Sequence, residues 1–251
     1  MILSMTMHWS ALPWDFALIF LVLVTVVPWR GIVRVRTLLA RPQLSSGERI
    51  SMYGSTIAFQ WLGAAIIVWR SVVHGLGPAA LGLLPASRGS GIVLGVVMAA
   101  TLGSVQLLSL RRLARVPVEQ RGDLYQIAAR LMPRELTEAL VFVALVGTVS
   151  LCEELVFRGF VFAVLKELGG GSAALAIVGS SALFALGHVY QGRRGVANTF
   201  VLGLLMAGAR SWSNSLLPAI LMHLAVDSVA GLIGQQAIAD LAAETPSPPA
   251  A

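Results

Sequence analysis

Seven apolar stretches of 14 to 27 residues, candidates for membrane-spanning helices, divide this chain of 251 residues. A helix needs about 20 predominantly apolar residues to cross the hydrocarbon core of a bilayer. The stretches cover residues 12–28, 51–69, 91–110, 139–165, 172–190, 196–209 and 216–233. Together with their short connections they leave no room for a soluble domain. The pattern predicts an all-α fold, a multi-pass transmembrane bundle of about seven to eight helices.

The composition agrees with a membrane protein and excludes other classes. Hydrophobic residues make up 57% of the chain and charged residues 12%, whereas soluble domains carry about 25% charged residues. The single cysteine, Cys152, cannot form an internal disulfide. A soluble cytosolic enzyme and a secreted disulfide scaffold are therefore excluded. Neither a glycine-rich phosphate loop nor a nucleic-acid motif is present, so we expect the lipid bilayer, and no nucleic acid, as a partner.

The basic residues predict the orientation of the bundle. Three alternate connections hold 13 of the 18 cations: Arg30, Arg34, Arg36, Arg41 and Arg49; Arg111, Arg112, Arg115, Arg121, Arg130 and Arg134; and Arg193 and Arg194. Cytoplasmic connections carry an excess of Lys and Arg. The amino terminus is therefore predicted to lie outside, with the arginine-rich end of the bundle in the cytoplasm.

These features divide the chain into four predicted regions. Residues 1–110 form amino-terminal transmembrane helices, and residues 111–138 form a basic amphipathic cytoplasmic loop expected to lie on anionic lipid. Residues 139–235 form a catalytic helical core. Residues 236–251 form a small, Pro-rich tail expected to be disordered. A further segment, 75–91, is the candidate for a re-entrant or interfacial eighth element.

Ionisable side chains cluster in three of the apolar stretches. They are Glu153, Glu154 and Arg158 in the fourth stretch, His188 in the fifth, and His223 and Asp227 in the seventh. A charged side chain inside a bilayer costs at least about 2.5 to 3.5 kcal/mol and marks a functional site by default. The isolated polar residues Asp15, Gln60, Gln106 and Asn198 are instead explained by hydrogen bonds between helices or by interfacial positions.

The spacing of these residues predicts how they meet. Residues four apart share one face of a helix, so Glu154 can pair with Arg158, and Asp227 can orient His223. Glu153 is rotated by about 100° from Glu154 and is expected to face His188 and His223. Small residues in the fifth and sixth stretches permit the required close approach of the helices.

One carboxylate and two imidazoles around a small cavity can activate a water molecule by general acid–base catalysis. Hydrolysis of a peptide bond is its natural use. Each part also has a simpler explanation: a structural Glu154–Arg158 pair, a capping His188, or a His223–Asp227 proton relay in a proton-coupled transporter. Only the combination of the three favours catalysis.

The order of the motifs resembles a known family. Glu153-Glu154-x-x-x-Arg158, then Phe184-x-x-x-His188, then His223-x-x-x-Asp227 is similar to the CPBP intramembrane proteases, which include the CAAX prenyl endopeptidases and bacteriocin-processing or immunity proteins. The resemblance extends over residues 133–227.

The resemblance implies a glutamate-type endopeptidase without a cofactor. Glu153 with His188 would activate the attacking water, and His223 with Asp227 would stabilise the oxyanion. Glu154 and Arg158 would hold the site together, with Phe184 packed beside it.

One position departs from the family pattern, because similar CAAX endopeptidases often have Asn where Asp227 stands. An ionised carboxylate cannot donate a hydrogen bond to an oxyanion. Either Asp227 carries a proton, or it orients His223 while His223 donates.

Two other functions use the same residues. Two histidines and a glutamate are a known zinc ligand set, which would make the chain a zinc-dependent membrane protease, although an HExxH motif is absent. A transporter, or a scaffold or immunity protein without activity, would keep the fold. The expected substrate is a membrane-associated protein or peptide, and the expected location is a bacterial inner membrane.

Overall fold

All regular structure is helical in the part of the chain that the computed structural model describes, which is residues 12–41, 43–84, 89–117, 120–233, 235 and 239. Within these residues the helices are α1 (Trp14–Val24), α2 (Val26–Leu39), α3 (Ser46–Val73), α4 (Gly89–Ala114), α5 (Gly122–Leu131), α6 (Leu136–Glu154), α7 (Phe162–Leu168), α8 (Ala173–Gly187), α9 (Gly192–Ser213) and α10 (Leu217–Ser228). A first π segment (Leu155–Val161) joins α6 to α7, a 3₁₀ turn (Val189–Gln191) joins α8 to α9, and a second π segment (Val229–Ile233) extends α10. The all-α prediction is confirmed.

Each predicted span coincides with helix, but the helices differ in their ability to cross a membrane. Four are long and apolar enough: Trp14–Leu39, Ser46–Val73, Gly91–Ala114 and Leu136–Leu168. The consecutive helices α8 and α9 qualify only when taken together as one broken span, and Leu217–Leu232 is a shorter apolar helix. The chain is an integral multi-pass membrane protein.

Local sequence signals explain where several helices begin and end. A capping box of Ser45 and Glu48 starts α3, since it satisfies two backbone N–H groups that lack partners inside the helix. The Ser172 side chain caps α8. The first span is interrupted at Thr25, because Pro28 has no N–H to bond the carbonyl oxygen four residues earlier.

Pairwise contacts show how the helices pack. Arg49 bonds Glu138 and Gln60 bonds Glu153, so α3 and α6 run parallel. A Cβ atom on Gly95 would lie 2.9 Å from Cα of Pro218, which brings α4 and α10 into close contact. The buried residues Phe16, Val156, Phe157, Phe160 and Phe184 form the centre of the main core, where α1, the first π segment and α8 meet.

The connections differ in part from the prediction. Helix α4 continues to Ala114, inside the predicted loop. The apolar side of α5 packs on the bundle rather than only on lipid, because Ile127 joins a buried cluster with Leu38 and Leu44. Residues 75–84 form turns that fold back on the bundle, and the Gly82 carbonyl oxygen accepts a hydrogen bond from the backbone N–H of Leu216. The predicted tail, 236–251, lies almost entirely outside the described residues.

Candidate active site

The site is built where α6 changes into the first π segment. Glu153 and Glu154 are the last two residues of α6, and Arg158 follows within the π segment. A π-helical turn inside an α-helix is rare and occurs frequently at functional sites, because it shifts the side chains relative to regular helical spacing. The change of helix type therefore coincides with the charged residues of this span.

Glu154 is the centre of a buried charge cluster. Its Oε1 atom accepts a hydrogen bond of 2.9 Å from Nη1 of Arg158 and one of 2.8 Å from Nδ1 of His223. Glu154 and Arg158 are both fully buried. The predicted Glu154–Arg158 pair is present, but Glu154 also holds the histidine that was expected to face Glu153.

Arg158 is held by an aromatic ring as well as by a carboxylate. Its guanidinium carbon lies 4.1 Å from the ring centroid of Phe184, a distance at which the cation interacts favourably with the ring face. Its Nε and Nη2 atoms have no hydrogen-bond partner among the described residues. Buried polar groups are normally satisfied, so two unsatisfied donors on one buried guanidinium group are unusual.

His223 lies between two carboxylates. Its Nδ1 donates to Glu154, and its Nε2 lies 3.5 Å from Oδ2 of Asp227. The predicted pairing of His223 with Asp227 is therefore present at ion-pair distance. Asp227 is the accessible end of this chain of charges, since its side chain is 36% exposed and lines an apolar cavity of about 230 Å³ beside Phe142 and Gly231.

Glu153 has a different environment from Glu154. Its Oε1 atom accepts a hydrogen bond of 2.7 Å from Nε2 of Gln60, and its Oε2 atom is buried with no hydrogen-bond partner in the described part of the chain. The residue is only half-buried and lines an apolar cavity of about 300 Å³ between α1 and α3, next to Phe157. The hydrogen bond of Glu153 goes to Gln60 on α3, and the expectation that Glu153 also faces His188 and His223 stays a prediction.

His188 stands where α8 ends and the chain turns into α9. Its Nδ1 lies 2.8 Å from the carbonyl oxygen of Phe184. A carbonyl oxygen only accepts, so Nδ1 carries the proton and Nε2 is left for another group. The ring lies 4.6 Å from that of Phe184 and 5.8 Å from that of Tyr190, measured between centroids.

Phe184 connects the parts of the site. Its ring contacts Phe157 at 5.3 Å, His188 at 4.6 Å and His223 at 5.9 Å, and it carries Arg158 on its face. The three sequence motifs thus meet around one buried aromatic side chain. The expected position of Phe184 beside the charged residues agrees with the structure.

Gln60 is the residue of the site whose role the sequence does not reveal. An amide inside an otherwise apolar span indicates a partner on another helix, but nothing in the spacing identifies Glu153 as that partner. The contact depends on the packing of α3 on α6.

The contacts of the site also bear on metal binding. Across the described residues, no three side chains among His, Cys, Asp and Glu converge as a ligand set for a metal ion. Glu154 and His223 bond directly to each other.

Comparison with known protein families gives a match over part of the chain. Residues 135–229 match the family described as Rce1-like, type II CAAX prenyl endopeptidase. The matched segment includes Glu153, Glu154, Arg158, His188, His223 and Asp227. Comparisons with the curated proteins and with the solved structures gave no match.

Proposed function

We propose that the chain hydrolyses peptide bonds of membrane-associated proteins or peptides with a water molecule activated by Glu153, since residues 135–229 match the Rce1-like family of type II CAAX prenyl endopeptidases. The family supports a CAAX-type intramembrane protease in general. The roles of the individual residues are our proposal.

The observation that carries the proposal is the free oxygen of Glu153. Gln60 holds one carboxylate oxygen, and the other oxygen is buried next to an apolar cavity and has no hydrogen-bond partner among the residues that the structure describes. A fixed carboxylate with one unoccupied oxygen can accept a hydrogen bond from water and take its proton. Glu154 is a weaker candidate for the base, because its charge is already balanced by Arg158 and His223.

The proposed reaction begins with attack of the water oxygen on the carbonyl carbon of the substrate, while Glu153 takes a proton from the water. The carbonyl oxygen becomes an oxyanion, which needs donors positioned in advance. Collapse of this intermediate breaks the C–N bond, and the proton moves from Glu153 to the leaving nitrogen.

The remaining residues support these steps. His188 uses Nδ1 to bond Phe184 and leaves Nε2 to position the water. His223 is the proposed donor to the oxyanion through Nε2, because Glu154 holds Nδ1 and Asp227, 3.5 Å from Nε2, is farther away than a normal hydrogen-bond acceptor. This choice gives Asp227 an orienting role that does not require it to carry a proton.

The proposed mechanism uses no metal ion, which is supported by the direct contacts of Glu154 with Arg158 and His223.

We further propose a bacterial inner membrane as the location, with the arginine-rich end in the cytoplasm.

The test is cleavage of a library of membrane-anchored and lipidated fluorogenic peptides by the full chain in liposomes. We expect Glu153→Gln to lower kcat at least about 100-fold, because a general base contributes that much or more. Glu135→Gln is the matched control, since it removes a carboxylate from an exposed position at the start of α6. Activity should survive a zinc chelator.

Thermal unfolding of the same variants separates the two glutamates. We expect Glu154→Gln to destabilise the protein by about 3 to 5 kcal/mol, because it leaves Arg158 buried without a carboxylate, whereas Glu153→Gln should unfold close to the wild type. Full activity in folded Glu153→Gln would contradict the assignment of the base. If Glu154→Gln loses activity while its stability is unchanged, Glu154 is the general base and Glu153 has the structural role.

A further inference from the structure

A large cavity that none of the proposed catalytic residues lines lies at the arginine-rich end of the bundle. It has a volume of about 640 Å³ and is formed by α2 from Trp29 onward, by the first three turns of α3, and by Arg41 and Leu44 between the two helices. Its wall combines guanidinium groups, hydroxyl groups and apolar side chains: Trp29, Arg30, Val33, Arg34, Thr37, Leu38, Arg41, Leu44, Gly47, Glu48, Ser51, Met52 and Ser55. We call it the α2–α3 pocket.

The charge of the α2–α3 pocket is positive. Three arginines line it against one carboxylate, that of Glu48. Glu48 is already engaged, because it forms an ion pair with Arg41 and accepts hydrogen bonds from Ser45. Arg30 and Arg34 pair with no carboxylate in the described part of the chain. The pocket therefore has two cations available to an anion.

The geometry holds these cations in position. The Arg30 guanidinium lies 4.1 Å from the ring centroid of Phe59. Arg34 donates to the carbonyl oxygen of Met52 at 2.6 Å and to Oγ of Ser55 at 3.2 Å. Side chains fixed by such contacts lose less conformational entropy when they bind a ligand than free surface arginines do.

The position of the pocket along α2 corresponds to the boundary of the membrane. Trp29 is 65% exposed and immediately precedes Arg30, and an exposed aromatic residue followed by cations is typical of the headgroup level. Above this level the exposed residues of the first span are apolar, such as Leu18, Leu21 and Val22. The pocket thus opens where polar headgroups meet hydrocarbon chains.

We propose that the α2–α3 pocket binds the phosphate group of an anionic phospholipid. Arg30 and Arg34 contact the phosphate, Ser51 adds a hydroxyl group, and Trp29, Val33 and Met52 contact the start of the acyl chains. Basic pockets between transmembrane helices on the cytoplasmic side are suited to anionic headgroups. A lipid uses both the cations and the apolar wall, whereas free phosphate would leave the apolar wall uncovered.

The experiment measures lipid binding and does not depend on peptidase activity. Full-length protein in a nonionic detergent is titrated with fluorescent phosphatidylglycerol, and the label is displaced by unlabelled phosphatidylglycerol, phosphatidylcholine or inorganic phosphate. We expect phosphatidylglycerol to compete at least tenfold better than phosphatidylcholine. Inorganic phosphate at millimolar concentration should not displace the label. If it does, or if phosphatidylcholine competes equally well, the proposal is overturned.

Two variants and one control test whether phosphatidylglycerol binds in the α2–α3 pocket. Arg30→Gln should weaken phosphatidylglycerol binding about fivefold, the effect of one cation near an anionic lipid. Ser51→Asp places a negative charge in the pocket without removing a contact of Arg34, and should weaken binding at least as much. Ser109→Asp is the matched control, because Ser109 is exposed about as far from the arginine-rich end of α4 as Ser51 is in α3.

The lipid-binding experiment can be interpreted even when one of the two variants does not fold. Thermal unfolding establishes that each variant is folded. If Ser51→Asp does not fold, Arg30→Gln alone provides the test, since Arg30 is an exposed residue whose guanidinium group stacks on the Phe59 ring. Equal loss of binding in Ser51→Asp and Ser109→Asp would show a diffuse surface attraction and refute a defined pocket. Unchanged binding in Arg30→Gln would refute it as well.

Discussion

Glu153 and Glu154 are neighbours in the sequence with different surroundings in the fold. Glu154 is enclosed by Arg158 and His223, while Glu153 has an amide partner and a cavity. The environment of a side chain determines whether an identical carboxyl group serves structure or chemistry. The difference arises because adjacent residues on a helix point in directions about 100° apart.

Gln60 is the residue through which α3 acts on the site. We expect Gln60→Met, which keeps the length of the side chain but removes the amide, to lower kcat about tenfold or more with little change in KM. A hydrogen bond to a charged group contributes about 1.5 to 3 kcal/mol, and here that contribution keeps the Glu153 carboxylate in position.

Steady-state kinetics on a cleaved peptide checks this prediction. Gln106→Met on α4 is the control, since it makes the same substitution in another span. If Gln60→Met instead raises KM and leaves kcat unchanged, Gln60 acts in substrate binding and the prediction is wrong. Equal effects of both substitutions would point to a general loss of folding.

At the scale of elements, α8 and α9 pack closely beside the site. A Cβ atom on Gly203 would lie 3.0 Å from Cβ of Ser181 and 3.3 Å from Nη2 of Arg158. We expect Gly203→Val to destabilise the protein by about 1 to 3 kcal/mol, because overpacking forces neighbours to move, and to lower activity by displacing Arg158. Thermal unfolding in detergent micelles measures the first effect.

Gly208 provides the matched control on the same helix. A Cβ atom there would meet nothing within 4 Å, so Gly208→Val carries the same change of helix propensity without the steric conflict. If the two valine variants unfold at the same temperature, close packing at Gly203 is not important for stability.

The helices α3 and α6 are joined at their other end by a buried ion pair. Nε and Nη2 of Arg49 donate to the two carboxylate oxygens of Glu138, each at 2.8 Å, and both residues are buried. We expect Arg49→Met to cost about 3 to 5 kcal/mol, because the carboxylate is left without its cation. The double variant Arg49→Met/Glu138→Leu should be more stable than Arg49→Met alone.

Chemical or thermal unfolding of the wild type, Arg49→Met, Glu138→Leu and the double variant gives the coupling free energy between the two residues. Arg36→Met is the control, since Arg36 is exposed and exposed substitutions usually stay within about 0.5 kcal/mol. Additive effects of the two single substitutions would contradict a direct ion pair.

At the scale of the whole molecule, the packing brings the basic connections to one end. Nε of Arg130 on α5 donates to the carbonyl oxygen of Arg41 after α2. The opposite end carries Asp15, whose carboxylate bonds Arg70 at 2.5 Å and His74 at 3.0 Å. The contacts agree with the alternation of connections from which the orientation is predicted.

Labelling of introduced cysteines tests this orientation in cells. Cys152 is 1% exposed, so it should not react with a membrane-impermeant maleimide. We expect Ala79→Cys to be labelled in intact cells and Arg112→Cys only after the membrane is opened. The reverse labelling pattern would show that the predicted orientation is wrong. Labelling of the protein without an introduced cysteine would contradict the burial of Cys152.

Much of this architecture follows from the sequence. The lengths of the apolar stretches predict the helices, and the four-residue spacings predict the pairs Glu154–Arg158 and His223–Asp227, which the structure contains. Interactions between residues one turn apart depend only on helix geometry, so they can be read without knowledge of the fold. The same is true of the capping box that begins α3.

The contacts between distant parts of the chain could not be derived in this way. Nothing in the spacing distinguishes Glu153 from Glu154 as the partner of His223, because that choice depends on the rotation of α10 against α6. The bond from Gln60 to Glu153 and the Arg49–Glu138 pair likewise require the packing of α3 on α6. The sequence by itself determined that this is a helical membrane protein with a cluster of charged residues, since helix formation and burial in lipid are local properties of each segment. Only the tertiary structure decided which charges meet and which carboxylate is left facing a cavity, because those contacts join residues many positions apart whose relative orientation depends on how whole helices pack.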